Sequence, residues 1–91
     1  MDEILKLLKL DLAIMHDKRD EYLRAVIAAA QTELKEKGIG LDITKVEDQL
    51  LIADYAAWKY RKRAENVPLS QNLQWRIRNR IVKERAKCTT V

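Results

Sequence analysis

Apolar positions along this chain repeat at helical spacing, most densely in Leu50-Leu-Ile-Ala-Asp-Tyr-Ala-Ala-Trp-Lys-Tyr-Arg-Lys-Arg63. At about 100° per residue, Val46, Leu50, Ala53, Ala57, Tyr60 and Ala64 form one apolar face of a helix. Leu51, Tyr55 and Trp58 form a second, and Ile52 and Ala56 nearly close the far side. A helix that is apolar almost all round must be buried or shared with a partner, which makes this stretch the hub of the fold. Between the two main faces runs a polar seam of Glu47, Asp54 and Arg61. The cationic end, Lys59 to Arg63, suits the negative end of the helix dipole.

The flanking stretches supply three more helices. Ile4, Leu7 and Leu8 sit at helical spacing near the start, with Asp2 and Glu3 in the first turn. From Leu8 the alternation Leu8, Leu10, Leu12, Ile14 predicts an extended connector. Leu23, Val26, Ile27, Ala30 and Leu34 mark a second amphipathic helix, with Asp17 as its expected N-cap. Gly38 is its expected left-handed C′ residue, and Ile39 is expected to fold back on Leu34. Thr44-Lys-Val-Glu47 matches a capping box and starts the hub helix at Thr44 or Lys45. Val67 before Pro68 ends it. The last helix is expected from Pro68–Ser70 to about Ala86, with Leu69, Leu73, Ile77 and Ile81 on one face. Trp75 and Val82 fall on nearly the opposite side, so this helix wants two partners, and the second can be another molecule. The pattern predicts an all-α fold, a small bundle of one short and three longer helices in a single domain, with 87–91 as a flexible tail.

Composition supports that picture and narrows the partners. Hydrophobic residues at 47% and charged residues at 35% belong to a globular chain rather than a disordered one. No apolar run is long enough to span a membrane and no leader is apparent, so neither a membrane partner nor secretion is expected. Charge is unevenly divided: residues 1–57 hold 8 Lys/Arg against 12 Asp/Glu, and residues 58–91 hold 10 against 2. That asymmetry fits a solvated basic helix, a nucleic-acid surface, or an acidic half of one copy meeting the basic half of the next.

Candidate chemistry is sparse. His16 lies beside Asp17 with no nucleophile or metal set in reach by sequence, and Cys88 has no acid–base group nearby. Neither glycine belongs to a phosphate loop. No enzyme activity, cofactor or metal is expected. Asp54, with apolar neighbours Leu50, Leu51, Ala57 and Trp58, either faces water along its seam or accepts hydrogen bonds from Arg76 or Arg80. Arg76, Arg80, Lys83 and Lys87 make a basic stripe beside Trp75 that could bind phosphates, stand in solvent, or belong to a protein interface.

Two segments carry a resemblance. Asp48-Gln-Leu-Leu-Ile-Ala-Asp-Tyr-Ala-Ala-Trp-Lys-Tyr-Arg-Lys-Arg63 and Pro68-Leu-Ser-Gln-Asn-Leu-Gln-Trp-Arg-Ile-Arg-Asn-Arg80 resemble the head–tail connector (adaptor) proteins of tailed bacteriophages and prophages. Leu8-Lys-Leu-Asp-Leu-Ala-Ile14 and Asp20-Glu-Tyr-Leu-Arg-Ala-Val-Ile-Ala-Ala-Ala30 fit that family's opening. The resemblance implies a structural subunit that assembles with itself into a dodecameric ring under the portal protein. Such a ring extends the DNA channel, lets DNA pass without sequence preference, and receives the stopper or tail-completion protein. It implies a place in the virion neck, and in the host cytoplasm during assembly. Carried over by position, Trp75, Arg76, Arg78 and Arg80 lie on the assembling helix, and Lys83 to Val91 is the portal-facing piece. Lys83, Arg85 and Lys87 are thereby interface candidates, Val82 joins them from the opposed apolar face, and Leu50, Asp54, Tyr55, Trp58 and Arg61 form the structural hub. The alternative is a small DNA-binding regulator of helix-turn-helix type, with Gln71, Asn72 and Gln74 at the start of the reading helix.

Overall fold

The computed structural model describes residues 2–65 and 67–89, with side chains over 3–63 and 67–86. The fold is all-α: helices α1 (Asp2–Leu12), α2 (Asp20–Glu36), α3 (Val46–Glu65) and α4 (Gln71–Thr89) form a small bundle. Helix α3 is its hub and packs on each of the other three. It buries Leu51, Ile52, Ala53, Tyr55, Ala56 and Ala57, interrupted only by the half-exposed Asp54. Around it, α1 contributes Ile4, Leu5 and Leu8, α2 contributes Leu23, Val26, Ile27, Ala30 and Leu34, and the α2–α3 connector contributes Ile39. Among its described residues, helix α4 buries only Leu73 and Ile77, with Ile81 and the preceding Leu69 partly covered. The Cα extents of 47 × 28 × 17 Å explain that economy, since 17 Å accommodates about two helical layers.

The first helix is longer than the alternation suggests. Leu8 and Leu12 lie inside α1, and Leu10 points outward at 79% exposure, so no extended connector begins at Leu8. Alternation and i, i+4 spacing share every second position; here the helical set Ile4, Leu8, Leu12 is the one realised. The helix ends in a Schellman arrangement. Ile14 N–H donates to Lys9 C=O at 2.9 Å and Ala13 N–H donates to Leu10 C=O at 3.3 Å. The C′ position is taken by Ala13 at φ 57°, a left-handed conformation unusual for a residue with a Cβ. Helix α2 closes the same way with a conventional residue: Gly38, at φ 96°, donates to Lys35 C=O, and Ile39 N–H donates to Leu34 C=O.

Two capping expectations and one helix start are corrected. Asp17 does not cap α2, which starts at Asp20 after an Arg19 that offers no side-chain cap; its carboxylate instead pairs with Lys9 at 2.9 Å. Lys9 also reaches Asp20 at 2.8 Å, tying the end of α1 to the start of α2. The Thr44–Glu47 capping box is displaced by Asp42, whose Oδ1 accepts both the N–H and the hydroxyl of Thr44. Helix α3 accordingly begins at Val46, with Lys45 C=O accepting its first bond from Gln49. Pro68 lies outside α4, whose first turn is capped by Ser70: its hydroxyl accepts Leu73 N–H at 3.2 Å. Helix α4 runs three residues past Ala86, to Thr89; the rest of the expected flexible tail, 90–91, lies outside the described residues.

Candidate interaction surface

Two carboxylates on α3 set the attitude of α4. Asp48 and Asp54 are about 120° apart around α3, with Leu51 between them. Arg76 Nη1 donates to Asp54 Oδ2 at 2.5 Å. One turn on, Arg80 donates to both carboxylate oxygens of Asp48 and, through Nη2, to Gly40 C=O at 3.1 Å. Asp48 also accepts Asp42 N–H at 2.7 Å, so the connector, α3 and α4 meet on a single carboxylate. Its side chain is 4% exposed, and it is the buried charged residue among the described ones. Burial pushes the Asp48 carboxyl up, but the Arg80 guanidinium and the Asp42 N–H outweigh it and hold the group below the usual range. Arg80 is correspondingly raised, first by its bond to Asp48.

The remaining hub residues fasten other seams. Tyr55, buried at 3% exposure, donates its hydroxyl to Glu33 of α2 at 3.3 Å. Burial, then the Glu33 charge and this bond, push its phenol up to about 12. Trp58 stacks at a tilt on Tyr55 and donates Nε1–H to Val67 C=O at 2.9 Å, holding the α3–α4 connector. Arg61 crosses to Asp11, donating to its carbonyl at 3.1 Å and pairing with its carboxylate at 3.3 Å. The seam of Glu47, Asp54 and Arg61 is therefore two cross-helix contacts and one solvent-facing glutamate.

With Arg76 and Arg80 turned inward, the outward side of α4 belongs to other candidates. Trp75 is 63% exposed and Val82 is 59% exposed, on the same outer face two turns apart. Arg78, Lys83 and Arg85 are exposed around them; Lys87 is helical, but its side chain lies outside the described residues. On α3, Val46 at 64% and Leu50 at 39% exposure continue an apolar surface. Leu50, a hub residue by sequence, is thus at the rim of the core rather than within it. Leu50 and Trp75 both line an open groove of about 330 Å³ between the two helices. Glu47 lies on its α3 wall and Lys83 on its α4 wall. His16 stands in solvent, its Nδ1 accepting Lys18 N–H at 3.2 Å.

Sequence reasoning did not single out Asp48. The available signal was an acid in the first turn of a helix whose exposed-side acid, Glu47, looks equivalent to it on dipole grounds. Only the placement of Arg80 distinguishes the two.

Searches against protein-family models, curated proteins and solved structures found no match to this chain. No described helix is long and apolar enough to cross a membrane.

Proposed function

We propose that this chain is a structural subunit that assembles with copies of itself, as a head–tail connector of a tailed bacteriophage or prophage. In this role it forms a ring on the portal, extends the DNA channel and receives the stopper or tail-completion protein in the virion neck. Trp75 and Val82 carry the reading: a large indole and a branched aliphatic stand exposed together on the outer face of a helix whose inner face is already packed. Scattered apolar residues are ordinary on a surface, but a tryptophan aligned with Val82 on one helix face marks a contact zone. The sequence resemblance supplies the identity of the assembly, and the portal is its expected docking partner.

Negative-stain imaging and sedimentation of the protein, alone and with a cognate portal, test this proposal. Rings or portal-bound oligomers are expected, with association that depends on concentration and salt. A strict monomer that ignores the portal would overturn it. Sequence-selective affinity for duplex DNA, falling steeply with salt, would favour the regulator alternative instead. Against that alternative, Arg76 and Arg80 are engaged by Asp54 and Asp48 and are not free to meet phosphates without breaking the α3–α4 contact.

A further inference from the structure

We infer that the groove between α3 and α4 is self-complementary and that, in the free protein, it is covered by the same groove of a second copy. This rests on the self-association reading above and specifies the contact. Leu50, Leu51 and Trp75 supply the apolar part of the groove, and Val46 lies one turn before Leu50 on the exposed strip of α3. The charges on its walls are opposite. Glu47 stands on the α3 side and Lys83 on the α4 side. Both are exposed, and neither makes an ion pair among the described residues. The two arginines that also line the groove are neutralised within the chain by Asp48 and Asp54. Glu47 lies in the field of Arg80 without pairing with it, and a surface with an unpaired acid on one wall and an unpaired lysine on the other, among the described residues, matches its own image under a two-fold axis. Glu47 of each copy then faces Lys83 of the other, and both Trp75 side chains leave water between them.

A two-fold contact closes at two copies. It therefore cannot be the contact between ring neighbours, and it makes the pair a species that parts before Trp75 meets a ring neighbour. Such a pair would keep the apolar surface covered until a portal is present.

Charge exchange tests the pairing directly. Sedimentation of the full chain over about a hundredfold range of concentration should show a monomer–dimer equilibrium. Glu47→Lys and Lys83→Glu should each weaken it about tenfold, and the two together should restore it. Thermal melts of each variant check that the monomer remains folded. As a second readout that needs no variant, equal amounts of isotopically light and heavy protein are mixed and treated with a zero-length carbodiimide. Mixed-isotope cross-links between the Glu47 and Lys83 peptides are expected. If the protein self-associates or loads on the portal without those cross-links, or without rescue by the double exchange, the groove assignment is overturned and the ring reading stands. If it neither self-associates nor binds the portal, both are overturned.

Discussion

Asp48 and Arg80 form a charge pair that joins α3 to α4, with Asp48 only 4% exposed and Arg80 22%. The same carboxylate receives Asp42 N–H and the same guanidinium reaches Gly40 C=O, so the pair also holds the α2–α3 connector in place. Among the described residues of α4 only Leu73 and Ile77 are buried, which makes this polar junction a large part of what seats the helix. Removing the Asp48 carboxylate takes the bond from Asp42 N–H and leaves Arg80 half-buried with only Gly40 C=O and the more distant Glu84. Asp48→Ala should therefore cost about 2–3 kcal/mol in urea denaturation. Asp54→Ala should cost no more than about 1 kcal/mol, because the Asp54–Arg76 pair is 40% and 30% exposed and water can replace it.

The same junction predicts an acid limb. The folded-state carboxyl of Asp48 lies below 3.8, the ordinary value for an aspartate, so the unfolded chain binds its proton first as pH falls. The stability it contributes is present above the unfolded value and is lost as pH drops through the folded one. Melting temperatures should decline below about pH 4, and the decline should be shallower in Asp48→Asn. Parallel curves for the two proteins would remove Asp48 from the account.

At the alkaline end the titrating group is Tyr55. Its phenol is pushed from 10.0 to about 12 by burial and by Glu33. A raised value means that the neutral form is favoured in the folded state. Its contribution is complete below pH 10 and disappears as pH rises towards 12. Absorbance titration should find one tyrosine ionising late, together with loss of structure, and Tyr55→Phe should abolish that late component.

Most of the architecture was legible because helical burial is periodic and strong. The five α2 residues chosen on spacing are the five that α2 buries, and Gly38 with Ile39 closes that helix as expected. Misread features are those in which a local signal competes with a remote one. Thr44 and Glu47 have capping-box spacing, but Asp42 is closer to the Thr44 donors and wins them. Leu8, Leu10 and Leu12 fit two periods, and only packing against α3 decides between them. The surface was legible in part. Opposed apolar faces on α4 follow from the wheel, whereas which of its arginines turn inward depends on where Asp48 and Asp54 stand when α4 docks. Asp54 had two open readings, and Arg76 selects between them.

Ala13 occupies a position that geometry reserves for glycine. At φ 57° its Cβ crowds the backbone, while the Schellman bonds from Ala13 and Ile14 hold the turn. Ala13→Gly should raise stability by about 0.5–1 kcal/mol, the relieved strain exceeding the added freedom of the unfolded chain. Gly38→Ala is the mirror test. A Cβ there would meet nothing within 4 Å, so its expected loss of about 1 kcal/mol is conformational rather than steric. Chemical denaturation of both variants measures the two signs.

Leu73 and Trp75, two residues apart on α4, should divide stability from assembly. Leu73 is 5% exposed against α3, so Leu73→Ala should cost about 2–4 kcal/mol through the lost contacts and the cavity left behind. Trp75, at 63% exposure, contributes little to the lone molecule, and Trp75→Ser should leave monomer stability within about 0.5 kcal/mol. Its effect should appear in association, where loss of the indole shifts sedimentation toward monomer and reduces loading on the portal. The contrast matters because a destabilised variant also assembles poorly. Only a protein that keeps its melting temperature while losing its partners locates the contact on the outer face of α4. A Trp75→Ser variant that melts early would return the indole to the core, and one that associates as before would move the contact elsewhere.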